Sequence, residues 1–167
     1  EQVTKLLSTA GDCNLQLFQH NKMRFHIHAN NSQALFSKLM VYGTIFDAKV
    51  DDMLSQFTTL KNKKEIAIVT DSSADIPPSL LQAYHIHVIP MTITHEGQKM
   101  LDGLTITTEK LSELMKHSSE PPKTSTPPIG SVKKMFEFLS QNHQNVFAVS
   151  ISAQMSSTFK VFTEVAS

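Results

Sequence analysis

The sequence predicts an α/β protein in two parts: a small α+β block, then a mostly parallel α/β sheet with flanking helices. Three observations carry this. Apolar residues recur at helical spacing in some segments and as short runs in others, so both helices and strands are expected. In the second part, the strand-like runs 65–69, 86–94 and 146–151 alternate with amphipathic segments, the order a parallel sheet requires. Between the parts, Thr58-Thr59-Leu60-Lys61-Asn62-Lys63-Lys64 is polar and lysine-rich without apolar periodicity, and reads as a linker. The division is therefore 1–57, 58–64 and 65–167.

In the first block, Val3, Leu6 and Leu7 sit at helical spacing, with Gly11 placed as a C-cap. Leu15 and Leu17 alternate with polar neighbours, as a half-buried strand does. His20-Asn21-Lys22 can turn tightly into a second strand, Met23 to His28. Asn30-Asn31-Ser32 offers N-caps to a helix striped by Leu35, Phe36, Leu39 and Met40 and ended by Gly43. Val50 and Met53 are assigned to a last short strand or turn, giving the order β-β-α-β.

In the second block, Glu65 to Val69 shows little alternation, so the strand is expected to be covered on both faces. Pro77 or Pro78 occupies a first helical turn, where a missing N–H costs nothing, and Leu80, Leu81 and Tyr84 continue the helix. Ile86 to Thr94 is one strand, and Glu96-Gly97 turns it into Lys99-Met100-Leu101. Thr108 caps a helix carrying Leu111, Leu114 and Met115. A Ser/Thr/Pro-rich loop runs from His117 to Gly130, followed by a helix striped by Val132, Met135, Phe136 and Leu139. Val146 to Ile151 is a third buried strand, and Val161 to Ser167 reads as a helix that has barely started. With Glu1 rather than Met at the start, a piece of a longer protein is expected.

Composition narrows the function classes. The 167 residues carry 15 basic and 15 acidic side chains, for a formal net charge of zero, so nothing favours nucleic acid or an anionic membrane as partner. A lone cysteine, Cys13, permits no internal disulfide and fits a reducing cytoplasm. No apolar run approaches the roughly 20 residues that span a bilayer, so an integral membrane protein is not expected.

Two predicted strands end in polar clusters, Thr70-Asp71-Ser72-Ser73 and Ser152 to Thr158, and a third cluster, Lys123-Thr124-Ser125-Thr126, lies in the long loop. Ligands of open parallel sheets bind beyond the carboxyl ends of the strands. Hydroxyls donate to and accept from a small polar head group, and the second cluster runs into a helix start that favours an anion. The same residue types also cap helices and make turns. No nucleophile elbow, phosphate-binding loop or dinucleotide fingerprint occurs, and the whole chain has five glycines. In Arg24-Phe25-His26-Ile27-His28, strand alternation puts Arg24, His26 and His28 on one side and Phe25 and Ile27 in the core. Two imidazoles at i, i+2 can share a metal, though a zinc site takes three or four protein ligands; Cys13 and His20 lie near enough in sequence to contribute, but on spacing alone a pair of solvent-facing histidines is the better account.

The motifs Ile68-Val69-Thr70-Asp71-Ser72-Ser73-Ala74-Asp75-Ile76-Pro77, Val88-Ile89-Pro90-Met91, Asp102-Gly103, Lys123-Thr124-Ser125-Thr126-Pro127 and Ile151-Ser152 through Met155-Ser156-Ser157-Thr158-Phe159 resemble, in order, the N-terminal lobe of DegV-family fatty-acid-binding proteins. That resemblance implies a long-chain fatty acid as ligand, head-group contacts at Thr124 and Ser156, and Ser125, Ser72 and Asp71 beside them. Met155 and Ser157 stand where the family motif has Leu and Gly. The family's second lobe is not in this sequence.

Gly11-Asp12-Cys13, Phe25-His26-Ile27-His28-Ala29-Asn30, Tyr42-Gly43 and Asp52-Met53 with Gln56 resemble the end of the middle domain of bacterial fatty acid kinases. That resemblance implies zinc on His26 and His28 with a cysteine further toward the N-terminus; Cys13 falls where the family has serine and is not carried over. It also implies an ATP-binding kinase domain upstream. The chain then reads as the junction of a fused bacterial fatty acid kinase and its lipid carrier, non-catalytic by itself, with a homodimer left open. The competing readings are a small-molecule hydrolase or phosphotransferase domain, and a scaffold or dimerisation module that binds no lipid.

Overall fold

The structure, a computed structural model, describes residues 1–61 and 64–167. The first block opens with α1 (Gln2–Ala10), whose Leu7 is fully buried against Leu35 and Leu39. Gly11 follows with φ 173, extended rather than left-handed, so its role differs from the expected C-cap. Any Cβ there would run into the backbone carbonyl of His28, so glycine is needed for close approach.

The chain then forms an antiparallel hairpin, β1 (Asp12–Gln19) and β2 (Lys22–His28). In β2 the expected alternation holds: Met23, Phe25 and Ile27 turn inward, and Arg24, His26 and His28 outward. In β1 it is inverted. A bulge between Asp12 and Leu15, with Cys13 at φ 53, sets the phase so that Asn14 and Gln16 are partly covered while Leu15 and Leu17 are 70% and 63% exposed.

Helix α2 (Ser32–Leu39) is capped by Asn31, whose side chain accepts from Ala34 N at 2.8 Å. It ends at Leu39, before the expected stop at Gly43. Where a last short strand or turn is expected, Val50 lies in irregular chain and Met53 begins a third helix, α3 (Met53–Lys61), which Asp52 caps by accepting from Ser55 N at 2.9 Å. The block is therefore α-β-β-α-α. Residues Thr58 to Lys61 of the expected linker are helical, and Asn62 and Lys63 lie outside the described residues.

In the second block, β3 (Ile66–Asp71) is central in a parallel sheet of order β4-β3-β8, between β4 (Ile86–Ile89) and β8 (Asn145–Val149). Ala67, Val69 and Ile89 pack under α6 (Ile129–Asn142) and α7 (Thr158–Ala166) through Val132, Leu139 and Phe162, with Phe136 and Phe162 rings 5.4 Å apart. The reverse face is not covered as expected: Ile66 and Phe147 are 52% and 62% exposed, and Ile68 and Val149 also meet solvent. α4 (Pro78–Tyr84) starts on proline as predicted but buries none of its residues.

The long strand expected over 86–94 is two strands. Pro90 has no N–H to give a ladder, and there the chain leaves the parallel sheet. It continues as β5 (Thr92–His95), centre of an antiparallel sheet of order β6-β5-β7, with β6 (Gln98–Leu101) and β7 (Lys123–Ser125). β7 lies inside what reads in sequence as loop. Helix α5 (Thr108–Lys116), capped by Thr107 rather than Thr108, covers this sheet through Leu111 and Leu114 against Ile93, Met100 and Ile106.

Candidate functional site at the carboxyl edge of the parallel sheet

Because β3, β4 and β8 are parallel, their carboxyl ends share one edge. Thr70 pairs with Val88 on one side and Val149 on the other, and Asp71 with Ile89. The polar residues after each strand therefore emerge together: Asp71-Ser72-Ser73 after β3, Met91 and β5 after β4, and Ser150 to Ser156 after β8. β7 belongs to the antiparallel sheet, where its Ser125 pairs with Thr92, the residue after Met91.

Asp71 is 1% exposed. Its Oδ1 accepts from Ser73 N at 2.9 Å and from the Ser73 hydroxyl, while Oδ2 has no partner among the described residues. Ser72 Oγ accepts from Met91 N at 3.0 Å, so its own O–H stays available to donate. Ser156 Oγ accepts from Thr158 N at 3.2 Å and lies 3.0 Å from Thr158 Oγ1, with Thr158 fully buried. Ser157, in place of the motif's glycine, has φ −75 and ψ −3, an ordinary right-handed conformation that any residue adopts.

On β7, Thr124 stands opposite Ile93 and Ser125 opposite Thr92, so the two neighbours face opposite sides of the antiparallel sheet. Ser125 lines a pocket of about 310 Å³ with Thr92, Thr94 and Thr126; Ser72, Thr124 and Ser156 are not in its lining. No hydrogen bond joins Ser72, Thr124 and Ser156 directly among the described residues. The sequence reading missed Thr92 and Thr94 as lining residues, although their alternation with Ile93 and His95 carried the signal. A second pocket, about 380 Å³, lies at the opposite edge beside Lys64, Glu65 and His143.

On the hairpin, His26 and His28 bring their Nε2 atoms to 3.3 Å. No third His, Cys, Asp or Glu joins them in a metal-sized group among the described residues.

A parallel α/β lobe with hydroxyl-rich loops at its carboxyl edge has the arrangement in which open sheets hold ligands when they bind them. The family model "Uncharacterised protein, DegV family" matches residues 65–167, and this chain belongs to the DegV family. A second family model, for the middle domain of proteins like the A component of fatty acid kinase, matches residues 1–60. Protein DegV of Bacillus subtilis is 32% identical over 94 residues, 56% of this chain and 34% of the relative. A DegV domain-containing protein of Caldanaerobacter subterraneus subsp. tengcongensis is 34% identical over 97 residues, 58% of this chain and 34% of the relative. The chain thus spans about one third of the length of these curated relatives.

Among solved structures, DegV from Bacillus subtilis, described as a fatty acid binding protein, superposes with a TM-score of 0.58 at 30% identity, covering 60% of this chain and 36% of that one. A stearic-acid-binding protein from Eubacterium ventriosum gives 0.54 at 24% identity over 61% of this chain and 35% of that one, a likeness of fold. No helix among the described residues is long and apolar enough to cross a membrane.

Proposed function

We propose that this chain binds a long-chain fatty acid and presents its carboxylate for phosphorylation, as the junction of a fused fatty acid kinase and carrier. What supports this reading is the shared carboxyl edge of a DegV-family lobe, where the hydroxyl-rich segments that follow β3 and β8 emerge side by side. It is supported by the fatty acid binding named for the Bacillus subtilis structure and by the kinase-type middle-domain match over residues 1–60.

In this reading Thr124 and Ser156 contact the head group, and Ser125, Ser72 and Asp71 shape its rim. The free O–H of Ser72 suits an anionic acceptor, because its oxygen is already engaged by Met91 N–H. The 1–57 block belongs to the kinase and the 65–167 lobe to the carrier. The ATP-binding domain lies upstream in the full-length protein, which works in the bacterial cytoplasm. Joining kinase and carrier in one chain raises the effective concentration of the lipid substrate.

His26 and His28 are proposed as zinc ligands. Tetrahedral zinc with Zn–N bonds of about 2.0–2.1 Å sets its ligand nitrogens about 3.4 Å apart, and the two Nε2 atoms stand at 3.3 Å. Zinc there would be structural, cross-linking the hairpin to ligands beyond this pair.

Organic extraction and mass spectrometry of the purified protein should find a fatty acid, or uptake when one is supplied. Ser156→Ala should weaken retention about tenfold, the effect of one hydrogen bond to a charged group. A protein without fatty acid that takes none up refutes the reading.

A further inference from the structure

The two blocks meet at a joint that leads into the candidate site. On α2, Ser32, Phe36 and Met40 fall at i, i+4 and i+8, one face of the helix. Ser32 Oγ donates to Leu104 O at 2.6 Å, and the neighbouring Gln33 Nε2 donates to Gly103 O at 2.6 Å. Phe36 is buried, and Met40 packs on the Ile93, Met100 and Ile106 core. Leu35 and Leu39, beside this face, pack within their own block. The same docking sets Asp47 and Ala48, from the segment between α2 and α3, against the pocket at Ser125.

The turn that α2 holds is a unit. Gly103 N donates to Ile106 O at 3.1 Å, and Leu104 N and Thr105 N donate to Leu101 O at 3.1 and 2.9 Å. Thr105 is 1% exposed, and its Oγ1 accepts from Leu101 N at 2.7 Å. Gly103 has φ 72, a left-handed conformation that glycine takes without strain. The turn thus spends its N–H groups on itself and gives the carbonyls of Gly103 and Leu104 to α2. From the same turn, Asp102 N donates to Met91 O at 3.0 Å, and Met91 N donates to Ser72 Oγ at 3.0 Å. Met91 is therefore held at both of its polar backbone atoms, one by the turn and one by the site. A turn that shifts as a body carries Asp102 N with it, and Met91 must follow or lose that bond. We infer that docking of α2 on the 101–106 turn sets the position of Ser72, which makes Ser32 and Gln33 positioning residues and the first block a regulator of the grip on the ligand. That Ser72 faces a fatty-acid head group rests on the proposed function; the coupling does not.

The test is amide hydrogen exchange by NMR on the whole chain, comparing wild type with a Ser32→Ala, Gln33→Ala double variant. Exchange at Met91 and Asp102 should quicken about tenfold, as loss of ordinary hydrogen bonds at the joint implies. The Ser72 amide resonance should shift, while Val69 in the sheet core keeps its rate. Ser32→Thr, which retains a hydroxyl donor, should behave as wild type. His143→Ala, which removes a hydrogen bond at the opposite edge, should leave Met91, Asp102 and Ser72 unchanged. In protein supplied with palmitate, the double variant should release the lipid about tenfold faster. Unchanged exchange at Met91 and Asp102, a rise shared equally by Val69, or bound palmitate released at the same rate from both proteins overturns the inference. A chain that takes up no palmitate but shows the response at Met91, Asp102 and Ser72 loses the head-group reading and keeps the coupling.

Discussion

Two histidine pairs, one in each block, have opposite characters. His26 and His28 stand on the solvent side of a strand with their Nε2 atoms 3.3 Å apart. His87 is buried on β4, and its ring centre lies 6.3 Å from that of His143, edge to face. His143 donates its Nδ1–H to the carbonyl of Lys64 at 2.7 Å, and its buried Nε2 has no partner among the described residues. Burial, with the charges of His143 and His85 behind it, lowers His87 to about 4. The contrast teaches that placement, not residue type, sets a histidine's chemistry: His26 and His28 keep their rings on the solvent side, whereas desolvation makes His87 a neutral packing group.

The largest effect should come from zinc. Metal analysis of the intact protein, purified without chelators, should find zinc that His26→Ala or His28→Ala weakens by at least about 100-fold. His87→Gln and His143→Ala should leave the zinc content unchanged. Equal loss from both pairs would erase the distinction drawn between them.

Acidification should act on the buried pair next. His87 stays neutral in the folded chain down to about pH 4, while the unfolded chain takes up the proton near 6.5. Between those values the unfolded state binds more protons, so stability is full above about 6.5, falls as pH drops toward 4 and levels off below. Urea melts across that window should show the slope in the wild type and its loss in His87→Gln. A slope that persists in His87→Gln would assign it to another group.

A smaller change is expected from His143→Ala, which removes the hydrogen bond to Lys64 and should cost about 1 kcal/mol at neutral pH in the same melts. Smallest of all, His28→Ala measured in chelator should shift stability by less than about 0.5 kcal/mol, as for an exposed strand position.

The outward placement of His26 and His28 was legible because β2 alternates with period two and Phe25 and Ile27 fix its phase. β1 defeated the same logic: the bulge at Cys13 reverses which residues turn inward, and a bulge leaves no mark in hydrophobic pattern. The run Ile66 to Val69 reads as buried on both sides because composition cannot tell a covered sheet face from a bare one. Pro90 holds the signal that splits 86–94 into two sheets, but the apolar residues on either side of it mask the break. Of the candidate site, the clusters after β3 and β8 were readable because they follow strands directly. The pocket beneath Asp47 was not, since it arises only when α2 meets the turn at Gly103 and Leu104, some 70 residues away. Segments that close over such distances write no local pattern.

The bare face of the parallel sheet affects how this chain behaves in solution. Ile66, Ile68, Phe147 and Val149 form an apolar strip on strands of a kind normally sandwiched between helices, and among the described residues β8 pairs on one side only. A strip beside an open edge is a template for stacking between molecules. Light scattering should therefore rise with concentration long before the fold melts, and a single charge at the strip's centre, Phe147→Lys, should delay its onset. Colloidal behaviour, rather than unfolding, would then set the concentration at which this polypeptide can be handled.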